Sequence, residues 1–244
     1  MFESKAGILL IGGLGFFVFA FLSNAVVPAL MYRDLPELRG TQLVNANVKY
    51  QFEDLKRRYG QSFDNYIARG QQPPSNPNEA KAWWLEKCAD TLQLGHKVYV
   101  AEGCWHCHSQ FIRPVSNESR RWGAVSETWE YQNELQRPVL FGTRRVGPDL
   151  SREGGRHSND WHAVHFFRPQ LVSYGSPMPE YPWLFDGSPD KPNAKGLALI
   201  TYVQWLGSWI DGYPYYELDE RPPLEKADAG NQGQNADTAA QEGD

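Results

Sequence analysis

Two cysteines and a histidine form the part of this 244-residue sequence best suited to chemistry, in the stretch Cys104-Trp105-His106-Cys107-His108. The two thiols lie one helical turn apart, so each can add to one vinyl group of a haem. The histidine that follows can then present its imidazole to the iron from one face, and Cys-x-x-Cys-His is the attachment pattern of c-type haems. The spacing therefore predicts one covalently bound haem c with His108 as an axial ligand of the iron.

The cysteine pair also fits three other kinds of site. A zinc site needs four ligands, so Cys104 and Cys107 would have to borrow His162 and His165, whose H-x-x-H spacing is shorter than in the usual zinc finger. A redox dithiol lies at the end of a strand in a βαβ unit, and no such unit is visible in the sequence. The pattern can also occur by chance in a loop. Cys88 stands alone and is expected to be a buried structural thiol, because three cysteines in all do not form a disulfide framework.

A second axial ligand is expected from a methionine. The sequence contains three, and Met1 and Met31 bound or lie in the apolar N-terminal stretch. Met178 follows the haem motif in a proline-braced loop, SPMP. A thioether opposite an imidazole raises the reduction potential and suits electron transfer, so we expect His/Met ligation. Met178 could otherwise fill a gap in the core. The alternative ligands are three later histidines: His157, His162 and His165.

Two further features are expected to support a haem. The Gly147-Pro148 stretch lies between the two expected ligands, and the Pro148 carbonyl could accept a hydrogen bond from the second ring nitrogen of His108. An ordinary turn is the alternative. Haem propionates are carboxylates, which arginine binds in bidentate fashion, although most surface arginines are simply solvated. The candidates for propionate contacts are Arg113, Arg145 and Arg156.

The N-terminal part of the sequence contains a candidate membrane anchor. Residues 6–32 carry no charge, and the run exceeds the roughly 20 residues that span a bilayer core. Its four glycines would weaken a soluble helix but let a neighbouring helix approach closely in lipid. Pro28 suggests a kink or an exit. The alternative is a signal peptide cleaved near Ala25, but the weak basic region before the run and its continuation past that position favour a retained anchor.

The remaining sequence predicts a mainly α-helical protein with long loops. We expect a short exposed helix at 51–59, a helix that starts near 78, a second helix at 92–102 and a last helix at 195–210. Residues 113–190 are rich in proline, glycine and arginine, which is typical of loops. The net charge of −5 leaves no cationic footprint for nucleic acid. Residues 217–244 hold eight acidic and two basic residues, which predicts disorder.

Several stretches resemble one known family. YVAEGCWHCHSQFIRP, RRVGPDLSREGGRHSNDWH and SPMPEYPWL, in this order, are similar to the mono-haem cytochrome c subunit (subunit II) of cbb3-type cytochrome c oxidases. The similarity covers roughly residues 94–207 and the N-terminal anchor. It implies a class I cytochrome c domain on one transmembrane helix. It also implies that Cys104, Cys107 and His108 bind the haem and that Met178 is the distal ligand.

The resemblance implies a function and partners as well. The chain would pass electrons from a cytochrome c donor to the catalytic subunit of an oxygen-reducing, proton-translocating oxidase, and would break no bonds itself. The expected partners are the membrane, a catalytic subunit with haems b and a haem–copper centre, a dihaem cytochrome c subunit and the donor. Haem c is attached outside the bacterial plasma (inner) membrane, so the haem domain is expected on the periplasmic side. The segment at about 40–90 looks longer than the usual connector of the family.

Three other functions fit parts of the same pattern. The anchored cytochrome c subunit of a nitric oxide reductase is similar, but the SQFIRP and GGRHSNDWH stretches favour the oxidase. A free-standing membrane-anchored cytochrome c carrier is the second alternative, but a glycine-rich anchor face favours packing against a partner helix over a lone anchor. A structural protein with a zinc clip would bind no haem. In chain order, the sequence predicts a cytoplasmic N-terminus at 1–5, an anchor at 6–32, a connector with short helices at 33–90, a haem domain at 91–213 and an acidic disordered tail at 214–244.

Overall fold

The computed structural model describes residues 2–210, which form helices joined by loops. These residues contain no β-strand, and two isolated bridges join Leu38 to Asn133 and Phe185 to Pro192. The mainly α-helical fold expected from the sequence is therefore confirmed, while the predicted tail at 214–244 lies outside the described residues. The α-helices in this part of the chain are α1 (Phe2–Phe21), α2 (Val27–Met31), α3 (Ala46–Arg58), α4 (Gly60–Phe63), α5 (Pro77–Ala101), α6 (Cys104–Cys107), α7 (Glu118–Trp122), α8 (Asn159–Phe167) and α9 (Ala194–Trp205).

One compact unit ends at Glu37 and is built on a long apolar helix. α1, a π-helical turn (Leu22–Val26) and α2 follow one another without a break. Lys5–Met31 is a 27-residue stretch with a mean hydropathy of 2.3 in its most apolar window, none of which is buried. At about 1.5 Å per residue it exceeds the roughly 30 Å of a bilayer's hydrocarbon core. Its length and composition fit a membrane anchor.

The helix passes Pro28 rather than ending there. Proline has no backbone N–H, and its ring collides with the carbonyl of the residue four positions earlier in a regular helix. The turn before it widens into the π-helical turn, where the Val27 N–H donates to the Leu22 carbonyl five positions back. This wider turn accommodates the proline, so the helix continues to Met31.

The second compact unit begins at Leu38, and its core forms where α5 and α9 cross. A Cβ built on Gly95 would lie 2.1 Å from the Ala198 carbonyl oxygen and 2.6 Å from the Tyr202 Cβ. A residue without a side chain is therefore required at the crossing. Burial of apolar surface around it stabilises the unit. Fully buried core residues include Val48, Leu55, Leu92, Tyr99, Leu197, Leu199, Ile200 and Tyr202.

α5 is one helix of 25 residues where the sequence predicted two. Its start is well marked, because the Asn76 side chain accepts from the Asn78 N–H and Pro77 occupies the first position. The prediction of a break before residue 92 was wrong. Glycine at position 95 weakens a helix locally, but here packing on α9 holds the helix straight through it.

A short exposed helix was predicted at 51–59. The helix found there, α3, has 13 residues and is partly buried, so both its predicted length and its predicted exposure were wrong. It starts at Ala46, and its Val48, Phe52 and Leu55 side chains are buried in the core shared with α5 and α9. Because most residues of this segment are polar, the buried face of α3 could not be recognised from the sequence. Asp54 is buried because it accepts hydrogen bonds from side chains that include Asn159, at 2.8 Å.

The long segment 113–190 is mostly loop, with α7, α8 and single 3₁₀ turns inside it. A buried ion pair fixes it: the Arg152 guanidinium donates to both Glu130 carboxylate oxygens, at 2.6 and 2.8 Å. α9 ends at Trp205, earlier than the predicted residue 210. The cause is Gly207, whose φ of +78° turns the chain while its backbone passes close to the Ser151 carbonyl.

Candidate haem site

The cysteine motif occupies a sharp turn at the end of α5. Gly103 follows with a φ of +71°, which favours glycine, and redirects the chain into the single turn α6. The His108 N–H donates to the Cys104 carbonyl at 3.0 Å and closes this turn. Both cysteines therefore lie on one helical turn, with His108 directly after it in an extended conformation.

The two thiols differ in their surroundings. Cys104 packs against the core, whereas Cys107 is exposed. Burial raises the pKa of the free Cys104 thiol to about 12, and the nearby Glu102 carboxylate adds to the shift. The Tyr181 side chain lies close enough to Cys104 to influence the thiol. The pair thus lies at the boundary between the core and the solvent.

His108 is held through its Nδ1 atom, which lies 2.9 Å from the Pro148 carbonyl oxygen. A carbonyl only accepts hydrogen bonds, so Nδ1 carries the proton and Nε2 keeps its lone pair. Burial lowers the pKa of His108, and the hydrogen bond to Pro148 opposes that shift only in part. The imidazole is therefore neutral at pH 7, in the form that binds a metal ion through Nε2.

The imidazole of His108 packs directly on the backbone of Gly147. A Cβ built at this position would lie 2.3 Å from Cε1 and 2.7 Å from each ring nitrogen of His108. The Gly147 N–H in turn donates to the Cys107 carbonyl at 3.0 Å. The loop with Pro148 is therefore fixed to the cysteine turn as well as to the histidine ring.

Buried Asp149 ties the chain after His108 to the chain after Pro148. Its Oδ2 accepts from the Ser109 hydroxyl at 2.5 Å and from the Phe111 N–H at 2.9 Å. Its Oδ1 accepts from the Ser151 N–H at 2.8 Å. The two loops thus hold the Pro148 carbonyl and the imidazole at a fixed separation.

Met178 lies in the loop between α8 and α9. Its side chain is partly buried and packs against the same core as Cys104. Its N–H donates to the Ser176 hydroxyl at 3.3 Å, which shapes the proline-braced turn. Three residues later, Tyr181 lies beside Cys104, and the Tyr181 N–H donates to the Phe166 carbonyl of α8 at 3.0 Å.

α8 brings to the site Trp161, which the sequence did not indicate, and His165, which it indicated only as an alternative ligand. The Ser158 hydroxyl accepts from the Trp161 N–H and starts the helix. Trp161 is stacked between His157 and His165, with ring centroids 3.8 and 4.5 Å apart. His165 is close enough to His108 for their charges to interact, and its Nδ1 is buried without a hydrogen-bond partner. Burial lowers the pKa of His165 to about 4.

The arginines near the motif differ in how they are engaged. Arg145 forms a bidentate ion pair with Glu118 and also donates from Nε to the Ser109 hydroxyl at 2.8 Å. It is therefore a weaker candidate for a propionate contact than Arg113, which is exposed, or Arg156, which is half-buried.

These residues fit a haem better than a zinc ion. Within residues 2–210, no three side chains among His, Cys, Asp and Glu are grouped to hold a metal ion, so the four ligands of the zinc alternative are not brought together. A haem needs only the two thiols, one imidazole lone pair and a second ligand. A buried polar atom without a partner, such as the His165 Nδ1, is typical of a site that a ligand completes.

Comparison with known proteins identifies one family. Residues 86–201 match the family model described as cytochrome C oxidase, mono-heme subunit/FixO. The matched range contains the cysteine motif, the Pro148 loop and Met178, and it reaches into α9. A search of curated proteins finds no match. The family match confirms the resemblance seen in the sequence.

Proposed function

We propose, from the premise that residues 86–201 belong to the FixO family of mono-haem cytochrome c oxidase subunits, that the chain is the electron-transfer subunit of a cbb3-type haem–copper terminal oxidase. It would take electrons from a cytochrome c donor and deliver them to the catalytic subunit that reduces oxygen. The observation that carries the proposal is His108. Its Nδ1 lies 2.9 Å from the Pro148 carbonyl, so its Nε2 lone pair is free directly after the turn that bears both cysteines.

The residues that would hold the haem have separate roles. Cys104 and Cys107 would each form a thioether when the S–H group adds across a vinyl group, so no other reactant is consumed. His108, through Nε2, and Met178, through its sulfur, are the side chains that would bind the haem iron. Haem c bound in this way supplies a one-electron iron couple, whose potential is raised by His/Met ligation.

The chain's own contribution is to hold the imidazole in one state. Pro148 fixes its tautomer, and a fixed Nδ1 hydrogen bond sets how strongly Nε2 donates to a metal. Gly147 sets the ring's position by direct contact. Arg113 and Arg156 are the side chains proposed to bind the propionates. Arg145 could contribute only the N–H groups that do not already donate to Glu118.

The proposed partners follow from the anchor and the family. The apolar helix Lys5–Met31 would place the chain in the bacterial inner membrane beside the catalytic subunit with its haems b and haem–copper centre. A dihaem cytochrome c subunit would complete the complex. The haem domain would lie on the periplasmic side, where haem c is attached.

Purification through a tag on this chain in mild detergent tests the proposal. The expected preparation contains haem c, haem b and copper, measured by a pyridine haemochrome spectrum and metal analysis. Haem c and haem b with non-haem iron and no copper would replace the proposal with a nitric oxide reductase subunit. Haem c alone, in a detergent that keeps other membrane complexes intact, would replace it with a free-standing carrier.

A further inference from the structure

The exposed charge of residues 103–152 is strongly positive. Three of the acidic residues in this stretch, Glu118, Glu130 and Asp149, are buried, and Glu134 is half-buried. Glu127 is the single exposed acidic residue between these positions. The exposed arginines of the stretch are Arg113, Arg120, Arg121, Arg137 and Arg144.

Four of these arginines lie in the chain within a few positions of Glu118 or Arg145, which form one ion pair, and we call them the arginine surface: Arg113, Arg120, Arg121 and Arg144. The Arg113 N–H donates to the Glu118 carboxylate at 2.8 Å, and Arg120 and Arg121 lie on α7 with Glu118. The Glu118 carboxylate is already paired with Arg145. None of the four arginines has an ion-pair partner among residues 2–210.

The arginine surface adjoins the candidate haem site. The Arg144 N–H donates to the His106 carbonyl at 2.9 Å, inside the cysteine motif. The Arg145 and Arg121 guanidinium groups lie 4.6 and 4.7 Å from the ring centroid of Trp122, at the end of α7. An occupant of the surface would therefore lie beside the motif.

The described part of the chain ends close to the same surface. The Trp209 indole N–H donates to Glu130 at 3.2 Å. Glu130 binds Arg152, which also donates to the Ala124 carbonyl at 3.0 Å, two residues beyond α7. The acidic segment that follows begins at Glu217, and the eight residues from Trp209 to Glu217 can span up to about 28 Å when extended.

We propose that the acidic segment 217–244 binds the arginine surface of its own chain. Its eight acidic and two basic residues complement the four arginines in charge. The covalent tether gives an effective concentration in the millimolar range, so weak pairs are enough to hold it. Exposed ion pairs are individually weak and screened by salt. The segment thus covers the surface at low ionic strength and leaves it at high ionic strength or when an acidic partner competes.

Arginine modification by phenylglyoxal, followed residue by residue with mass spectrometry, tests this contact on the full chain in detergent. Two variants are compared with it: a chain shortened after residue 216, and a chain of full length with its eight acidic residues after 216 changed to Asn or Gln. Arg69, an exposed arginine outside the surface, is the internal control. We expect Arg120, Arg121 and Arg144 to react several-fold more slowly in the full chain than in either variant at low ionic strength, and Arg113 to follow them where a haem propionate does not already bind it. Arg69 should react equally in all three, and the difference should vanish at high ionic strength.

Three results would overturn the proposal. Equal rates in the three proteins would show that the segment does not bind. Slow reaction that persists in the neutralised variant would show coverage without charge recognition. Slow reaction that appears only in the assembled complex and survives shortening would assign the surface to a partner subunit. The measurement does not involve haem reduction, so its failure is distinct from failure of the proposed function.

Discussion

Replacing Gly147 with alanine tests how closely the His108 ring is held. The added Cβ would lie 2.3 Å from Cε1 and 2.7 Å from both ring nitrogens, whereas carbon atoms in contact settle about 3.5–4.0 Å apart. The ring or the loop must therefore move by more than about 1 Å. Such a shift breaks the 2.9 Å hydrogen bond between Nδ1 and Pro148.

The size of the effect follows from these two losses. Overpacking costs roughly 1–3 kcal/mol and a lost hydrogen bond about 1 kcal/mol, so the free energy of unfolding should fall by roughly 2–4 kcal/mol. For a domain of this size, the Tm should fall by roughly 4–16 °C. Thermal unfolding of the haem-loaded protein by circular dichroism measures this, and its visible spectrum reports whether His108 still binds the iron.

Gly60→Ala is the matched control for this substitution. A Cβ on Gly60 meets nothing within 4 Å, and the residue begins α4. Alanine there should leave the Tm unchanged or raise it slightly, because it restricts the unfolded chain. A Gly147→Ala protein with the Tm and spectrum of the unmodified protein would refute the inferred contact.

The remaining predictions concern the core, the distal ligand and the acidic segment. Gly95→Ala should lower the Tm at least as much as Gly147→Ala, because its Cβ would lie 2.1 Å from a backbone oxygen that cannot rotate away; unfolding by heat measures this, and a Tm equal to that of Gly60→Ala would contradict it. Met178→Leu should lower the midpoint potential in a redox titration, since the thioether ligand is lost, and an unchanged potential would point to another axial ligand. Removing residues 222–244 should leave complex assembly and oxygen turnover nearly intact at physiological ionic strength; loss of the complex from a native gel would show that the segment docks on another subunit.

The local part of the site could be predicted from the sequence because a few neighbouring residues determine it. The spacing from Cys104 to His108 places both thiols on one turn, and the structure shows that turn as α6. The apolar run before Arg33 likewise indicated the long helix, because length and composition alone define it.

The parts that depend on distant residues could not be predicted. α3 looked exposed because the segment around it is polar. The buried Asp54 accepts hydrogen bonds from Arg57 and Arg58 of the same helix but also from Asn159, which lies more than a hundred positions later. α5 was predicted as two helices with a break before residue 92, and its continuity past Gly95 depends on packing against α9. Tyr181 gave no signal of its own, and His165 was expected only as an alternative ligand, because only the fold brings both residues to the cysteine turn.

Haem staining of a denaturing gel tests the central claim most directly. The Cys104→Ala/Cys107→Ala double variant should lose the stain completely, because no thioether bond can then retain haem during denaturation. Cys88→Ala, which removes the buried third cysteine, is the control and should stain like the unmodified chain. Normal staining of the double variant would contradict the assignment of the haem to this motif and, with it, the proposed electron-transfer function.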